Sequence, residues 1–566
     1  MVNKILNNIF TEALDALNIS TPEIKIIKSN RPDLCDYQFD GLFKIAASTK
    51  TSPIIIGNKL VEYIKNMPTY SDYFADLEFA KPGFINITLS DKFINETLIK
   101  MNNNPKFNIE LPPKETYVID YGGYNIAKPL HIGHLRPTII GESIKRILNY
   151  YNQNTIADVH LGDFGLQMGQ VIYGILEDKK DVSDITIDYL NIIYPKISNL
   201  CKEDPNINSK CADITKSLQD NKPDYLPYWH KIIEVSLEDI KKLTNYFDVH
   251  FDLWEGESDA YKYFKPLEDL LNQKHLLKTS EGAQIIEVKK DNDNKPMPPM
   301  IFKKSNGAYL YDSTDLATIY ERHQKFNPDH IIYVTDFRQG LHFEQVFRAS
   351  ELAGLMPHSA LEHAYNGTIN GPDGKPFKTR KGDAPKLAEL IAMVKETFLN
   401  LKETNKDMNE QDLNIIVNAI IKFADLQNSR EKDYIFDLEK FCDVVGKTGP
   451  YILYTYVRIN KVIKNYPIPT NKLSNNIYNK QDRDLRICLL DLENQLNMSY
   501  INRMPSYIAN YIYNLSTLTN IFYQVNHLTG LKDEEKLNDW LYILKLTNTI
   551  IKEMLTLLAI DVPSAM

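Results

Sequence analysis

The apolar positions change their spacing along the chain, and each spacing predicts an element. In MVNKILNNIFTEALDAL, residues Ile5, Leu6, Ile9, Phe10, Ala13, Leu14 and Leu17 share one helical face, predicting an amphipathic N-terminal helix. In GFINITLS (Gly83–Ser90), apolar Phe84, Ile85, Ile87 and Leu89 are interleaved with polar residues, the pattern of a strand. The Asn- and Pro-rich stretch Asn102–Glu115 reads as a linker. A short strand, Thr116–Asp120, then leads through a Gly-Gly loop into a helix with Leu135, Ile139, Ile140, Ile144, Ile147 and Leu148 at core-facing spacing. A second strand lies within NTIADVHLGDFG (Asn154–Gly165), completing a βαβ unit of a parallel sheet. The unit recurs: AYLYDSTDLATIYERHQKF reads as strand then helix, and HIIYVTDFRQGLHFEQVFRASELAG as strand, loop and helix. Between the two halves, about residues 179–262, a mixed helical segment reads as an insertion that widens the C-terminal rim of the sheet. Beyond Ala384 the periodicity is helical to the end.

These patterns predict an α/β protein whose central, Rossmann-like parallel-sheet domain carries an N-terminal α+β domain and a C-terminal all-α bundle. The expected boundaries are 1–108, 109–385 with the insertion, a linking helical segment 386–445, and a bundle 446–566. A length of 566 residues agrees with several cores. With 43% hydrophobic and 25% charged residues, disorder is not the default. The net charge of -9 argues against a generally basic nucleic-acid binder and confines any such contact to local patches. Cys35, Cys201, Cys211, Cys442 and Cys488 form no Cys-x-x-Cys pair, and an odd, scattered set suits a reducing compartment. Cys201 and Cys211 are too far apart for zinc-knuckle spacing. The N-terminal helix is broken by Asn and acids, unlike a signal peptide, and no run reaches the ~18–20 apolar residues of a membrane span. A cytoplasmic protein without a membrane partner is expected.

The chemistry concentrates in YNIAKPLHIGHLRPTII (Tyr124–Ile140). His131, Gly133 and His134 stand where a strand ends and a helix begins, the position at which free helix N–H groups bind anions. Gly133 lets a flat group approach the backbone, and Lys128 adds a mobile cation. Pro137 is expected within the first helical turn, where proline is tolerated. A four-residue pattern alone is as readily a chance loop; its place between strand and helix favours a phosphate site.

HIGH is the nucleotide signature of class I aminoacyl-tRNA synthetases. The longer DYGGYNIAKPLHIGHLRPTIIGE resembles arginyl-tRNA synthetases specifically, as do HLGDFGLQMG, YLYDSTDLA, DFRQGLHFEQ, GKPFKTRKGD and the terminal LLAIDVPSAM. The resemblance implies a class I catalytic domain that makes arginyl-adenylate from ATP and L-arginine, with Mg²⁺, and transfers arginine to the terminal 2′-hydroxyl of tRNA(Arg). It implies that arginine activation waits for bound tRNA, and we expect a monomer. The family's second signature, Lys-Met-Ser-Lys-Ser, corresponds here to GPDGKPFKTRKGD (Gly371–Asp383), with Thr379 at the usual second lysine. By resemblance Lys128 supplies the absent charge. Lys375, Lys378, Arg380 and Lys381 keep the loop cationic, while Gly371, Gly374 and Gly382 let it move; without HIGH, a solvated basic turn would be the better reading. The implied catalytic set is Lys128, His131, His134, Lys378 and Arg380. ATP is expected on Lys128, His131, Gly133, His134, Lys375 and Lys378, with His342 as a ribose or adenine contact or, equally, a core histidine.

A guanidinium is planar with five donors, so two carboxylates and a phenol oxygen can saturate it. The resemblance assigns Asp120, Tyr311 and Asp315 to that group, and Asn125 and Gln339 to the α-amino end. The plain alternatives are a strand-end turn for Asp120 and an N-cap for Asp315. Two departures bear on Asn125: Tyr124 replaces the family's usual proline, and Gly123 offers no hydroxyl. His160, Gly162, Asp163 and Gln167 end the second strand without an assignable role. The N-terminal domain resembles the family's tRNA-elbow module, making Phe84 and Asn86 base contacts unless Phe84 faces the core. The helical end resembles the anticodon bundle, with Tyr451, Tyr454, Arg458 and Met566 as contacts, against simple packing for the tyrosines. A synthetase for another amino acid and a non-catalytic tRNA-binding paralogue are the competing readings.

Overall fold

The computed structural model describes residues 1–19, 24–220, 222–377, 385–401 and 408–566. Its N-terminal module is a four-stranded antiparallel sheet in the order Ile26–Lys28, Tyr37–Phe39, Phe84–Leu89, Phe74–Ala80, packed against Val2–Ala16, Pro53–Lys65 and neighbouring helices. Ile85, Ile87 and Leu89 are fully buried, whereas Phe84, Asn86 and Thr88 lie on the other face, as a two-residue period requires.

The central sheet is parallel, in the order Leu361–His363, His330–Val334, Thr116–Tyr121, Asn154–Asp158. The chain passes from Thr116–Tyr121 to one neighbour and later returns on the other side. The order therefore reverses between Thr116–Tyr121 and His330–Val334, the crevice where open α/β sheets bind ligands. Helix Ile132–Tyr150 crosses between the first two strands, and at Gly141 an added Cβ would lie 2.3 Å from the Tyr121 side chain. Pro137 is the sixth residue of this helix. The expected first-turn position is therefore corrected, and the Gly133 carbonyl loses its usual amide partner.

The 179–262 stretch is helical, with Ile187–Glu203, Pro205–Gln219 and Leu226–Tyr246 stacked beside Leu166–Glu177. It brings the Cys201 and Cys211 sulfurs within 3.6 Å on successive helices, a proximity their sequence spacing hides. A three-stranded antiparallel sheet, Leu277–Ser280, Ala283–Ile286 and Met300–Lys303, follows helix Glu257–Gln273. The strand expected in AYLYDSTDLA is absent. Tyr309 makes a single bridge to Lys303 and its ring stacks on Phe264 at 3.9 Å, and helix Tyr311–Phe326 begins two residues later. From Leu387 the described chain is helical except for Tyr434–Ile435, which pairs with Ile369–Asn370. Among the described residues no helix is long and apolar enough to cross a membrane.

The HIGH helix is a hub of buried polar contacts. Arg136 pairs with Asp425 at 3.0 Å and donates to the Lys432 carbonyl, and Ser143 donates to the Leu557 carbonyl. Fully buried Lys422 donates to the carbonyls of Phe247 and Ala559, and burial pulls its ammonium down to about 7. The N-terminal module docks on the C-terminal bundle. Arg483 bridges Asp36 and Asp91 at 2.6 and 2.7 Å, and Arg486 joins Asp482 and Asn95 at 2.7 and 2.6 Å. Arg486→Ala leaves Asp482 buried and unpaired, a loss of ~3–5 kcal/mol. We expect an earlier first transition in calorimetry and faster proteolytic release of the N-terminal module.

Candidate active site

His131 is the N-cap of the HIGH helix, and its Nδ1 accepts the Gly133 amide at 3.0 Å. His134 Nδ1 accepts the His131 amide at 3.2 Å, completing a reciprocal cap. These bonds leave each ring its Nε2–H as a donor. Burial, and then Lys128, lowers His131; burial, then His131, takes His134 down to about 3. The pair therefore consists of neutral donors. Gly133 is needed for the ring itself, since an added Cβ would stand 2.8 Å from His131 Cε1. Tyr124, in the family's proline position, is buried. Its hydroxyl meets Thr138 Oγ1 at 2.8 Å and its ring stands edge-on to His134.

Beyond the strand ends, a cavity of about 520 Å³ is lined by all five predicted arginine contacts, Asp120, Asn125, Tyr311, Asp315 and Gln339, and by His342. Tyr311 opens helix Tyr311–Phe326 and is 71% exposed at the mouth. Leu310 is the N-cap, so Asp315 lies one turn inside and the capping alternative falls. Asp120 is not free. Its Oδ2 and Asp158 Oδ2 both accept from Nη2 of buried Arg322, at 2.5 and 2.6 Å. Burial pushes the Asp120 carboxyl up against the pull of Arg322. His342 contacts Asp312 through Nδ1 and Asp315 through Nε2, each at 2.5 Å, so both ring nitrogens are taken. It lies on the wall of this cavity, neither a core residue nor free for a base or ribose.

Two further groups line the cavity: Glu257, which carried no sequence signal, and His160 of the HLGD segment, for which the sequence offered a place at the strand end without a role. Glu257, inside the supposedly quiet insertion, lines it and is raised by burial to about 7. His160 lines it too, with neither buried ring nitrogen partnered. The HLGD segment now has a structural role. Asp163 accepts the Ser258 amide at 2.9 Å and Ser258 Oγ at 2.5 Å, and Leu161 exchanges backbone bonds with Glu255 and Glu257, positioning Glu257. Gly162 makes room for Asn125, whose Oδ1 would lie 2.8 Å from an added Cβ, and Gln167 donates to the Gly162 carbonyl.

Lys128 lies in an adjoining cavity of about 280 Å³ that shares Asn125, Glu257 and Tyr311 with the first. Its ammonium is 5.0 Å from the Tyr194 ring centroid, and among the described residues no carboxylate pairs with it. The chain around the second signature is tied to HIGH: Ile132 donates to the Pro385 carbonyl and Leu387 to the Leu130 carbonyl. Lys375 is exposed on a turn closed by Gly371, whose amide bonds the Lys375 carbonyl at 2.7 Å. Lys378, Thr379, Arg380, Lys381 and Gly382 lie outside the described residues. No group of three or more His, Cys, Asp or Glu among the described residues forms a metal cage. The donors around HIGH, imidazoles and an ammonium, do not fit a hard cation such as Mg²⁺.

Sequence comparison decides the family. The profile of the tRNA synthetases class I (R), catalytic domain, matches residues 95–438. The arginyl tRNA synthetase N terminal domain matches 4–89, and the DALR anticodon binding domain 452–566. The chain belongs to the arginyl-tRNA synthetase family. An arginine–tRNA ligase of Alkaliphilus oremlandii is 38% identical over 95% of both chains, and one of Francisella tularensis 36% identical over 94% of both. The arginyl-tRNA synthetase of Plasmodium falciparum superposes with a TM-score of 0.83 at 25% identity, covering 100% of this chain and 99% of that one. The Thermus thermophilus enzyme, 18% identical, shares the fold at 0.81, with 100% of both chains covered.

The remaining family-derived candidates sit apart from the cavity. Phe84 lies on the outer sheet face, edge-on to half-exposed Phe43 at 6.5 Å, and Asn86 there accepts from Gln38. The core-facing alternative for Phe84 is thus removed. Tyr451, Tyr454 and Arg458 lie on helix Gly449–Lys464. Tyr454 is exposed, Tyr451 accepts from Asn520, and Arg458 covers the Tyr523 ring. Met566 ends a tail held by Ser564, which donates twice to Asp412.

Gly133→Ala should displace the His131 ring and lower the arginylation rate at least tenfold with unchanged thermal stability, read by initial rates and calorimetry. His134 binds a proton only near pH 3 in the fold but near 6.5 when unfolded. It therefore destabilises the enzyme progressively as pH falls from 6.5 towards 3. His134→Gln should flatten that part of the stability profile in denaturant titrations.

Proposed function

We infer that the enzyme charges tRNA(Arg) with L-arginine at the expense of ATP. The observation that carries this is the single cavity at the strand-order reversal, where five predicted arginine contacts meet beside HIGH in a chain 38% identical to an arginine–tRNA ligase. The arginine carboxylate attacks the α-phosphorus of ATP, pyrophosphate leaves, and the terminal 2′-hydroxyl of tRNA takes the arginyl group. Such transfers depend on positioning and charge neutralisation. In this reading the Nε2–H groups of His131 and His134 donate to phosphate oxygens, and Lys128, Lys375, Lys378 and Arg380 supply the positive charge. Asp315, Tyr311 and the uncommitted oxygen of Asp120 take the guanidinium, with Asn125 and Gln339 at the α-amino group. Lysine leaves acceptors of this set unpaired, at ~1–3 kcal/mol for each one that the bound ligand buries. Mg²⁺ accompanies the triphosphate, without a protein cage among the described residues.

The outer-face Phe84 and Asn86 serve the tRNA elbow, and Tyr451, Tyr454, Arg458 and Met566 the anticodon. The domains are taken as 1–108, 109–385, 386–445 and 446–566. We expect a monomer, and five free cysteines suit the cytoplasm.

Arginylation of a tRNA(Arg) transcript is the direct test. Arginine alone among an amino acid panel should be charged, and charging of glutamate or cysteine would overturn the assignment. ATP–pyrophosphate exchange should be negligible until the tRNA is added. Asp315→Asn should raise KM for arginine at least a hundredfold while changing KM for ATP less than threefold.

A further inference from the structure

Asp312 and Asp315 lie three residues apart on helix Tyr311–Phe326, so their carboxylates project from the same face. His342, from the separate helix Gly340–Ala353, bridges them: Nδ1 meets Asp312 Oδ1 and Nε2 meets Asp315 Oδ2, both at 2.5 Å. Ionised carboxylates only accept, and a neutral imidazole has a single N–H. Both contacts are satisfied together only by the doubly protonated ring. Asp315 Oδ1 carries no partner among the described residues, and Asp315 lines the cavity.

We propose that His342 is a positioning residue for amino acid recognition, a fixed imidazolium that holds Asp315 by its Oδ2 and aims its Oδ1 at the substrate guanidinium. This rests on the arginine site inferred above and deepens it.

The surroundings of His342 agree. Asp120 and Glu257 line other walls of the cavity, and Arg338 is occupied by Asp336 at 2.7 Å. His363, on the neighbouring strand, bonds Thr335 at 2.8 Å and is lowered to about 4, chiefly by burial. His342 moves the other way. Burial opposes its charge, but the bonds to Asp312 and Asp315 outweigh this and raise it to about 10. Its proton therefore stabilises the site fully below pH 6.5 and is lost only as pH rises through about 10. A nucleotide contact through either ring nitrogen would require one of these bonds to break.

Kinetics of His342→Asn, which removes the positive charge and the donors on opposite ring edges, test this beside Asp315→Asn. KM for arginine should rise at least tenfold, with KM for ATP within twofold and kcat less affected than KM, because the guanidinium is remote from the reacting carboxylate. In the wild-type enzyme labelled with ¹⁵N-histidine, at least one imidazole should remain doubly protonated at pH 8.5. If every imidazole is neutral at pH 8.5, the proposal falls even should the variant fail to fold. An increase confined to KM for ATP would make His342 a nucleotide contact instead. A silent His342→Asn beside a damaging Asp315→Asn overturns the positioning role alone; a silent Asp315→Asn overturns the arginine site itself.

Discussion

Asp120 and Asp158 are register partners on adjacent parallel strands, two buried carboxylates facing the same layer. Nothing on the strands offsets their repulsion; Arg322 does, reaching from the last turns of helix Tyr311–Phe326 to place one nitrogen between them. That contact sets the position of the helix against the sheet. The same helix presents Tyr311, Asp312 and Asp315 at its other end. The geometry of the cavity thus depends on an ion triad of which only Asp120 reaches the substrate in the proposed reaction. Breaking a buried pair of this kind leaves an uncompensated charge, whereas replacing the whole group can be neutral. Arg322 therefore governs placement more than net stability.

The site is a charge balance as much as a shape. Asp120, Glu257, Asp312 and Asp315 line the cavity and Asp158 joins Asp120 through Arg322, with Arg322 and His342 as their internal cations. The carboxylates are in excess, and a ligand carrying both a guanidinium and an ammonium reduces that excess. On the other side of Asn125 and Tyr311 the sign reverses, with Lys128 in the adjoining cavity. One turn of chain, from Asp120 to Lys128, spans the two regions.

Much of this was legible in the sequence because it is local. The HIGH helix, the strand before it, and the spacing of Tyr311 and Asp315 follow from periodicity and motif within short windows. Contacts between distant segments were not legible. Arg322 reaches Asp120 across 202 residues, and His342 meets Asp315 across 27. No pattern marks either. Glu257 looked like one acid among many in a helical insertion, and only the Asp163–Ser258 clasp turns it towards the cavity. The protonation of the HIGH histidines was not legible either, because burial, invisible in composition, lowers both. Pro137 was misplaced because the helix begins at Ile132, earlier than glycine suggested.

The hydrogen bonds joining Pro385 and Leu387 to Ile132 and Leu130 tie the start of helix Leu387–Leu401 to the turn that carries His131. The two segments are far apart in the chain, yet neither can shift without straining two backbone bonds to the other. A displacement of that helix is therefore felt directly at the cap of the HIGH helix.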